Sequence, residues 1–315
     1  MPELVCSTAN RDAWLAARRS GVTATDIVTI MGLSSYDSPY SLYWRKLGQV
    51  PETPDSPRVA LGRYLQEYVW ALWTDETGLA TRDPLALYCT TGRSWQMATP
   101  DYVENGPPAG WVSVLEIKTW ADADKPSWSD GPPPAVRAQV LWQMDVMDVA
   151  KGHVGVVFLP SGEFRSYAIE HEGICDWDNA RLPTMTCLVC ADIKAMRAAG
   201  LDFYRRLQDN DPPDPDASAA TLAAVKARLV KREGKRGTVD KSEWRDWTHL
   251  KDERDQLDES IRLHESRIRE QLGEADEIEV DGQLVGRRIV TTAHVKAHDR
   301  TQDYIKRTKG TTNGS

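Results

Sequence analysis

The eight residues Asp-Asn-Asp-Pro-Pro-Asp-Pro-Asp, 209–216, hold three prolines and four aspartates and constrain this chain more than any other stretch. Proline removes a backbone donor and blocks a helix interior, and four like charges in so short a span cannot enter an apolar core. The stretch therefore ends one folded region and begins another. We expect a core over residues 1–210, a linker over 211–216 and an extension over 217–315. The first region is long enough to bury a substantial core by itself.

Within that core the apolar spacing alternates between helix and strand. Residues 11–48 read as short helices broken at Ser-Gly and Ser-Ser-Tyr-Asp-Ser-Pro, with Thr23 or Thr25 as one N-cap and Ser38 before Pro39 as another. Leu61, Leu65, Val69, Leu72 and Trp73 recur at helical spacing, and Gly78 stops that helix. Ser-Trp-Gln-Met-Ala-Thr (94–99) and Trp-Val-Ser-Val-Leu-Glu-Ile-Lys-Thr-Trp (111–120) read as strands separated by a Gly-Pro-Pro turn at 106–108. A largely apolar helix over 135–149 follows, then a buried strand at 153–159 and its hairpin partner at 163–170. Residues 177–207 read as helix, bent at Pro183. The fold class is therefore mixed α and β, a central mixed sheet flanked by helices. In the extension, 217–231 and about 241–272 read as the arms of an antiparallel helical hairpin. Trp247, Leu250, Leu257, Ile261, His264 and Ile268 recur there at three- and four-residue steps. A β-hairpin around Asp281-Gly282 completes the chain.

Composition excludes several classes. The longest apolar run, His-Val-Gly-Val-Val-Phe-Leu, is too short to cross a bilayer, and the first ten residues lack the apolar stretch of a secretion signal. Five scattered cysteines give no disulfide framework, which points to a reducing cytosol, bacterial or phage-infected. Cys187 and Cys190 form a C-x2-C with Cys175 upstream, but packing thiols account for them better than a cluster. No phosphate-binding loop or Ser-His-Asp motif is present, and the six histidines show no zinc spacing. The net charge of −8 is uneven: residues 217–315 carry 20 Lys and Arg against 18 Asp and Glu, and 225–245 hold eight basic and three acidic side chains. An acidic core with a basic segment outside it suits a metal-using enzyme on a polyanion, and suits a solvated helix surface as well.

One strand carries the chemistry. In Val-Leu-Glu-Ile-Lys-Thr, Glu116 and Lys118 project to the same face, and Asp101 waits upstream after Pro100. Two carboxylates at one place repel unless a cation joins them. Oxygen ligands in this number suit Mg²⁺, with Mn²⁺ as a substitute, and an adjacent lysine can hold an attacking water. Metal-assisted hydrolysis of a phosphodiester needs these parts. A turn-capping aspartate and an exposed Glu–Lys pair would account for the same three residues.

The surrounding motifs decide between those readings. Trp-Leu-Ala-Ala-Arg-Arg-Ser-Gly-Val-Thr-Ala-Thr-Asp-Ile (14–27), Leu-Gly-Arg-Tyr-Leu-Gln-Glu (61–67), Pro-Asp with Glu-x-Lys, and Ala-Val-Arg-Ala-Gln-Val-Leu-Trp-Gln-Met (135–144) stand in a fixed order. Together, over about 14–149, they resemble the PD-(D/E)XK nucleases. More narrowly they resemble the phage YqaJ-type recombination nucleases related to phage lambda exonuclease. The resemblance implies that Glu67, Asp101, Glu116 and the Ile117 carbonyl bind metal and that Lys118 orients water. It places Gln139 beside them, with Gln143 as a competing candidate. It also implies that Arg18, or the adjacent Arg19, binds a strand's 5′-phosphate with Thr25, where relatives carry serine. Trp120 and Trp128 are candidates for stacking on an unpaired base.

The activity so implied is a Mg²⁺-dependent exonuclease degrading linear double-stranded DNA from 5′ ends. Its product would be 3′ tails for recombination. The resemblance also implies a homotrimer, with a single-strand annealing protein as a possible partner. An endonuclease on the same scaffold and a non-catalytic DNA-binding recombination factor are the alternatives; loss of one of Asp101, Glu116 or Lys118 would mark the latter, and all three are present.

Overall fold

A computed structural model describes residues 2–52, 56–106, 110–170, 188–229, 237–295 and 298–307, with side chains as far as residue 290. It divides into two compact units, Met1–Lys231 and Arg232–Ser315. The first unit opens with β1 (Glu3–Ser7), α1 (Arg11–Arg19), α2 (Ala24–Ile30), α3 (Pro39–Lys46) and α4 (Pro57–Thr77). Strands β2 (Thr81–Arg82), β3 (Ala86–Thr90), β4 (Arg93–Ala98), β5 (Tyr102–Gly106) and β6 (Gly110–Ala121) follow. Helix α5 (Pro134–Met147), strands β7 (Lys151–Leu159) and β8 (Phe164–Glu170), α6 (Leu188–Asp209) and α7 (Ala219–Arg228) complete it.

The central sheet runs β2-β5-β6-β7-β8, with β6 and β7 parallel and the other neighbours antiparallel. The mixed sheet expected from the sequence is therefore present. A parallel pair needs a long crossover, and α5 supplies it between β6 and β7. A smaller sheet, β1-β3-β4, lies beside it in the chain order.

Strand periodicity sorts β6 into two faces. Leu115 and Ile117 join Val69 and Trp73 of α4 and Val157 in one apolar cluster. Val114 joins Val140, Trp142 and Met144 of α5 with Val154, Val156 and Phe158 in the main core. Alternation puts Glu116 and Lys118 on the second face, toward the helix whose own flanks are almost entirely buried. Contact is close enough that a Cβ on Gly152 of β7 would stand 2.4 Å from Val140 Cγ1.

The helix ends obey local chemistry. Thr23 caps α2 and forms a reciprocal box with Asp26, so Thr25 is the second helical residue and not the cap. Ser38 caps α3 with Pro39 at its first position. Gly78 closes α4 in the left-handed region at φ 68°.

The boundary between units differs from the expected one. Helix α7, placed by sequence in the extension, belongs to the first unit. Its Thr221 Oγ1 lies 2.7 Å from the cap oxygen of Ser38, and Arg228 donates to Tyr40 Oη at 2.7 Å while its guanidinium lies 3.7 Å from the centre of the Trp44 ring. The Pro/Asp stretch breaks the helix without ending the unit. One of the basic residues of 225–245 is thereby committed to packing, and residues 230–236 of that run lie outside the described residues.

The second unit contains α8 (Lys241–Leu272) and the antiparallel sheet β11-β10-β9, formed by β9 (Glu277–Val280), β10 (Gln283–Val295) and β11 (His298–Arg307). Asp281 and Gly282, both at positive φ, make the predicted turn. Helix α7 packs on α3 within the first unit, and α8 buries none of its own residues. Cys175, Cys187 and the bend at Pro183 fall outside the described residues, and Cys190 lies half-buried in α6. Among the described residues, no helix is long and apolar enough to cross a membrane.

Candidate active site

Asp101 sits in the turn between β4 and β5, and its Oδ2 accepts from the Ile117 N–H at 2.8 Å. That bond fixes the aspartate against β6 next to Glu116. Lys118 Nζ donates to Glu116 Oε1 at 2.5 Å and to Gln139 Oε1 at 3.0 Å. Gln139 Nε2 returns a bond to Glu116 Oε1 at 2.6 Å, and Gln143 Nε2 donates to Glu116 Oε2 at 2.6 Å. Gln139 and Gln143 lie four residues apart, one turn of α5, so one helix face reaches both oxygens of one carboxylate. The sequence left them as competitors; the structure uses both.

This site is buried and charged. Glu116 is 4% exposed. Burial, and after it the negative charge of Glu116, push the Asp101 carboxyl up to about 8. For Lys118, burial works to lower the pKa, but Glu116 and Asp101 outweigh it and hold the ammonium above its usual value. Burial, with Asp101 next and Glu67 contributing, pushes Tyr102 up to about 12. Two carboxyl groups and one ammonium thus share a low-dielectric corner in which a second negative charge needs a proton or another cation to offset it.

An open cavity of about 300 Å³ meets this corner, lined by Asp101, Glu116, Ile117, Lys118 and Thr119 and, from α4, by Val59, Gly62, Arg63 and Gln66. Helix α4 passes near the strand at Gly62, where a Cβ would stand 3.4 Å from Thr119 Oγ1. Gln66 had not been singled out by sequence, although its place four residues after Gly62 was a readable signal. Glu67 is exposed and does not line the cavity, because successive helix residues turn by about 100°. The structure does not bring Glu67 to the other acids.

Among the described residues, no group of three or more His, Cys, Asp and Glu is arranged for a metal ion. The donor set that is present still fits Mg²⁺, which is commonly held by one or two carboxylates together with water and substrate phosphate. Two crowded carboxyl groups, one of them pushed toward protonation by burial and then by the other, form a site that a dication would relieve.

The remaining candidates separate clearly. Arg18 donates to Thr25 Oγ1 at 3.3 Å, and its guanidinium lies 4.5 Å from the centre of the Trp14 ring. Arg19 instead forms a fork on Glu52, with both bonds at 3.2 Å. Lys46 anchors the Arg18 backbone, donating to its carbonyl at 2.7 Å and to Asp26 at 2.5 Å. Trp128 requires correction: it is fully buried, edge-on to Trp120 and Phe158, and offers no face to a base. Trp120 is half-buried against it.

Comparison with known proteins agrees with the motif order. Residues 13–150 match the model of the YqaJ-like viral recombinase domain, over somewhat less than half of the chain. The "Uncharacterized protein YqaJ" of Bacillus subtilis is 29% identical over 125 residues, which span 39% of this chain and 38% of that relative's length. An alkaline exonuclease from Laribacter hongkongensis, LHK-Exo, aligns with 64% of this chain and 94% of its own at 17% identity and TM-score 0.47. A phage-related exonuclease from Haemophilus somnus aligns with 60% and 96% at 13% identity and TM-score 0.42.

Proposed function

We propose that the YqaJ-like domain makes this chain a Mg²⁺-dependent exonuclease that degrades linear double-stranded DNA from 5′ ends, leaving 3′ single-stranded tails for phage-type recombination. The observation that supports it most is the convergence of Asp101, Glu116, Lys118 and Gln139 at one cavity. Asp101, Glu116 and the Ile117 carbonyl would hold the metal. When bound, the ion supplies positive charge to a phosphoryl oxygen and acidifies a water.

The chain's own residues do the rest. Lys118 brings a fixed ammonium to the cavity, where it orients the attacking oxygen and offsets the charge that builds on the phosphoryl oxygens. Gln139 bridges Lys118 and Glu116, and Gln143 grips the other Glu116 oxygen, so neither charged group swings away between turnovers. Arg18 and Thr25 present donors suited to a terminal phosphate. Recognition of an end, rather than of a sequence, explains why an acidic protein needs only local positive charge.

A linear duplex and a closed circular duplex, each with and without Mg²⁺, test the reading. The linear DNA should disappear only with metal while the circle persists; nicking of the circle would point to an endonuclease instead. Arg18→Ala should slow digestion of 5′-phosphorylated ends by roughly tenfold or more, the scale of a charge-assisted contact, and unphosphorylated ends far less. Equal slowing on both ends would remove Arg18 from phosphate binding.

A further inference from the structure

Helix α8 carries an apolar stripe that the rest of its unit leaves uncovered. Trp247, Leu250, Leu257, Ile261 and Ile268 follow one another at steps of three, seven, four and seven residues, and all are at least 38% exposed. In heptad terms they occupy a and d positions, with Arg254 and His264 filling the two gaps. The helix runs 32 residues, about 48 Å, so the seam is long enough for a two-stranded coiled coil. Among the described residues nothing buries it.

We infer that α8 pairs with α8 of a second copy of this chain, side by side and antiparallel. Charge on the flanking positions chooses both partner and direction. With Leu257 set against Ile261 of the other copy, and Leu250 against Ile268, Lys251 faces Glu265 and Glu253 faces Arg267 across the seam. Trp244 meets Leu272 at each end. Two-fold symmetry makes each of these contacts twice. The like-charged Asp258 residues meet at the axis, where each already has Arg254 of its own helix at 3.8 Å. A parallel pair is worse: Asp246 would face Lys251, but Glu253 would face Asp258, and Arg254 would oppose its own copy in the seam, where the antiparallel register sets it against His264.

This pairing is independent of the nuclease site and adds to whatever assembly the first unit makes. The copies it joins are ones that their first units do not hold together, so the pairing doubles the mass of that assembly. The test is light scattering on the full chain at micromolar concentration. Leu257→Glu with Ile261→Glu should halve the mass while leaving the unfolding midpoint of the first unit unchanged, since both side chains are exposed. A mass that does not move overturns the proposal, and assigns the stripe to a different partner.

A charge exchange fixes the direction. Lys251→Glu alone should weaken association by roughly fivefold or more, because two pairs become repulsive. Lys251→Glu with Glu265→Lys should restore the parent value. Failure of the double exchange to restore it contradicts the antiparallel register, and with it the pairing proposed.

Discussion

Asp101→Asn should abolish nuclease activity, by on the order of 10³-fold, without lowering the melting temperature of the metal-free protein. The amide keeps an oxygen for the Ile117 N–H, so the turn before β5 stays tied to β6. What disappears is the second carboxylate that a cation would draw out, in a corner where burial and then Glu116 already oppose its charge. A structural aspartate would behave in the opposite way, with stability falling and activity following it. Metal sharpens the contrast. At 100 times its dissociation constant, a ligand of the native state stabilises the parent by about 2.7 kcal/mol, and the variant should lose that gain. Thermal melts with and without Mg²⁺, beside a rate on linear duplex, read all of this in one preparation.

The largest stability loss should come from Asp145→Ala. Asp145 lies two residues beyond Gln143 in α5, with its side chain 3% exposed. Gln96 Nε2 donates to its Oδ2 at 2.6 Å, Arg197 Nε donates to the same oxygen at 2.7 Å, and a second Arg197 nitrogen bonds Oδ1. Arg93 stands 3.6 Å away. This one carboxylate ties α5 to α6 and to β4. Removing one partner of a buried ion pair costs about 3–5 kcal/mol, since the opposite charge stays behind. Denaturant melts should show the midpoint fall at constant slope. Asp145→Asn, which keeps the shape and one acceptor, should lose less. A loss under about 1 kcal/mol for the alanine variant would mean that water already screens the network.

The same helix shows why part of the site could be read in advance. Strand β6 announced itself by alternation, and α5 by a run of apolar residues too long for a strand. The order Asp101, Glu116, Lys118, Gln139 survives translation into space because β6 and α5 are consecutive and packed together. Glu67 shows the limit of that logic: a one-residue difference on a helix sends a side chain to another face, and Gln66 took the position facing the cavity. Trp128 shows another, since a tryptophan in a loop-like stretch can be as buried as any in the core. The Asp145 network joins residues 93, 96, 145 and 197, a separation that no local pattern spans. Helix α7 followed the same rule, because its two polar ties to α3 lie more than 180 residues apart in sequence.

The account depends on Asp101 and Glu116 forming one divalent-cation site beside Lys118. Crystals grown with Mn²⁺ and measured at its absorption edge test this directly. An anomalous peak between the Asp101 and Glu116 carboxylates, absent in Asp101→Asn, is the predicted result. No peak at that position in protein that digests linear duplex would contradict it.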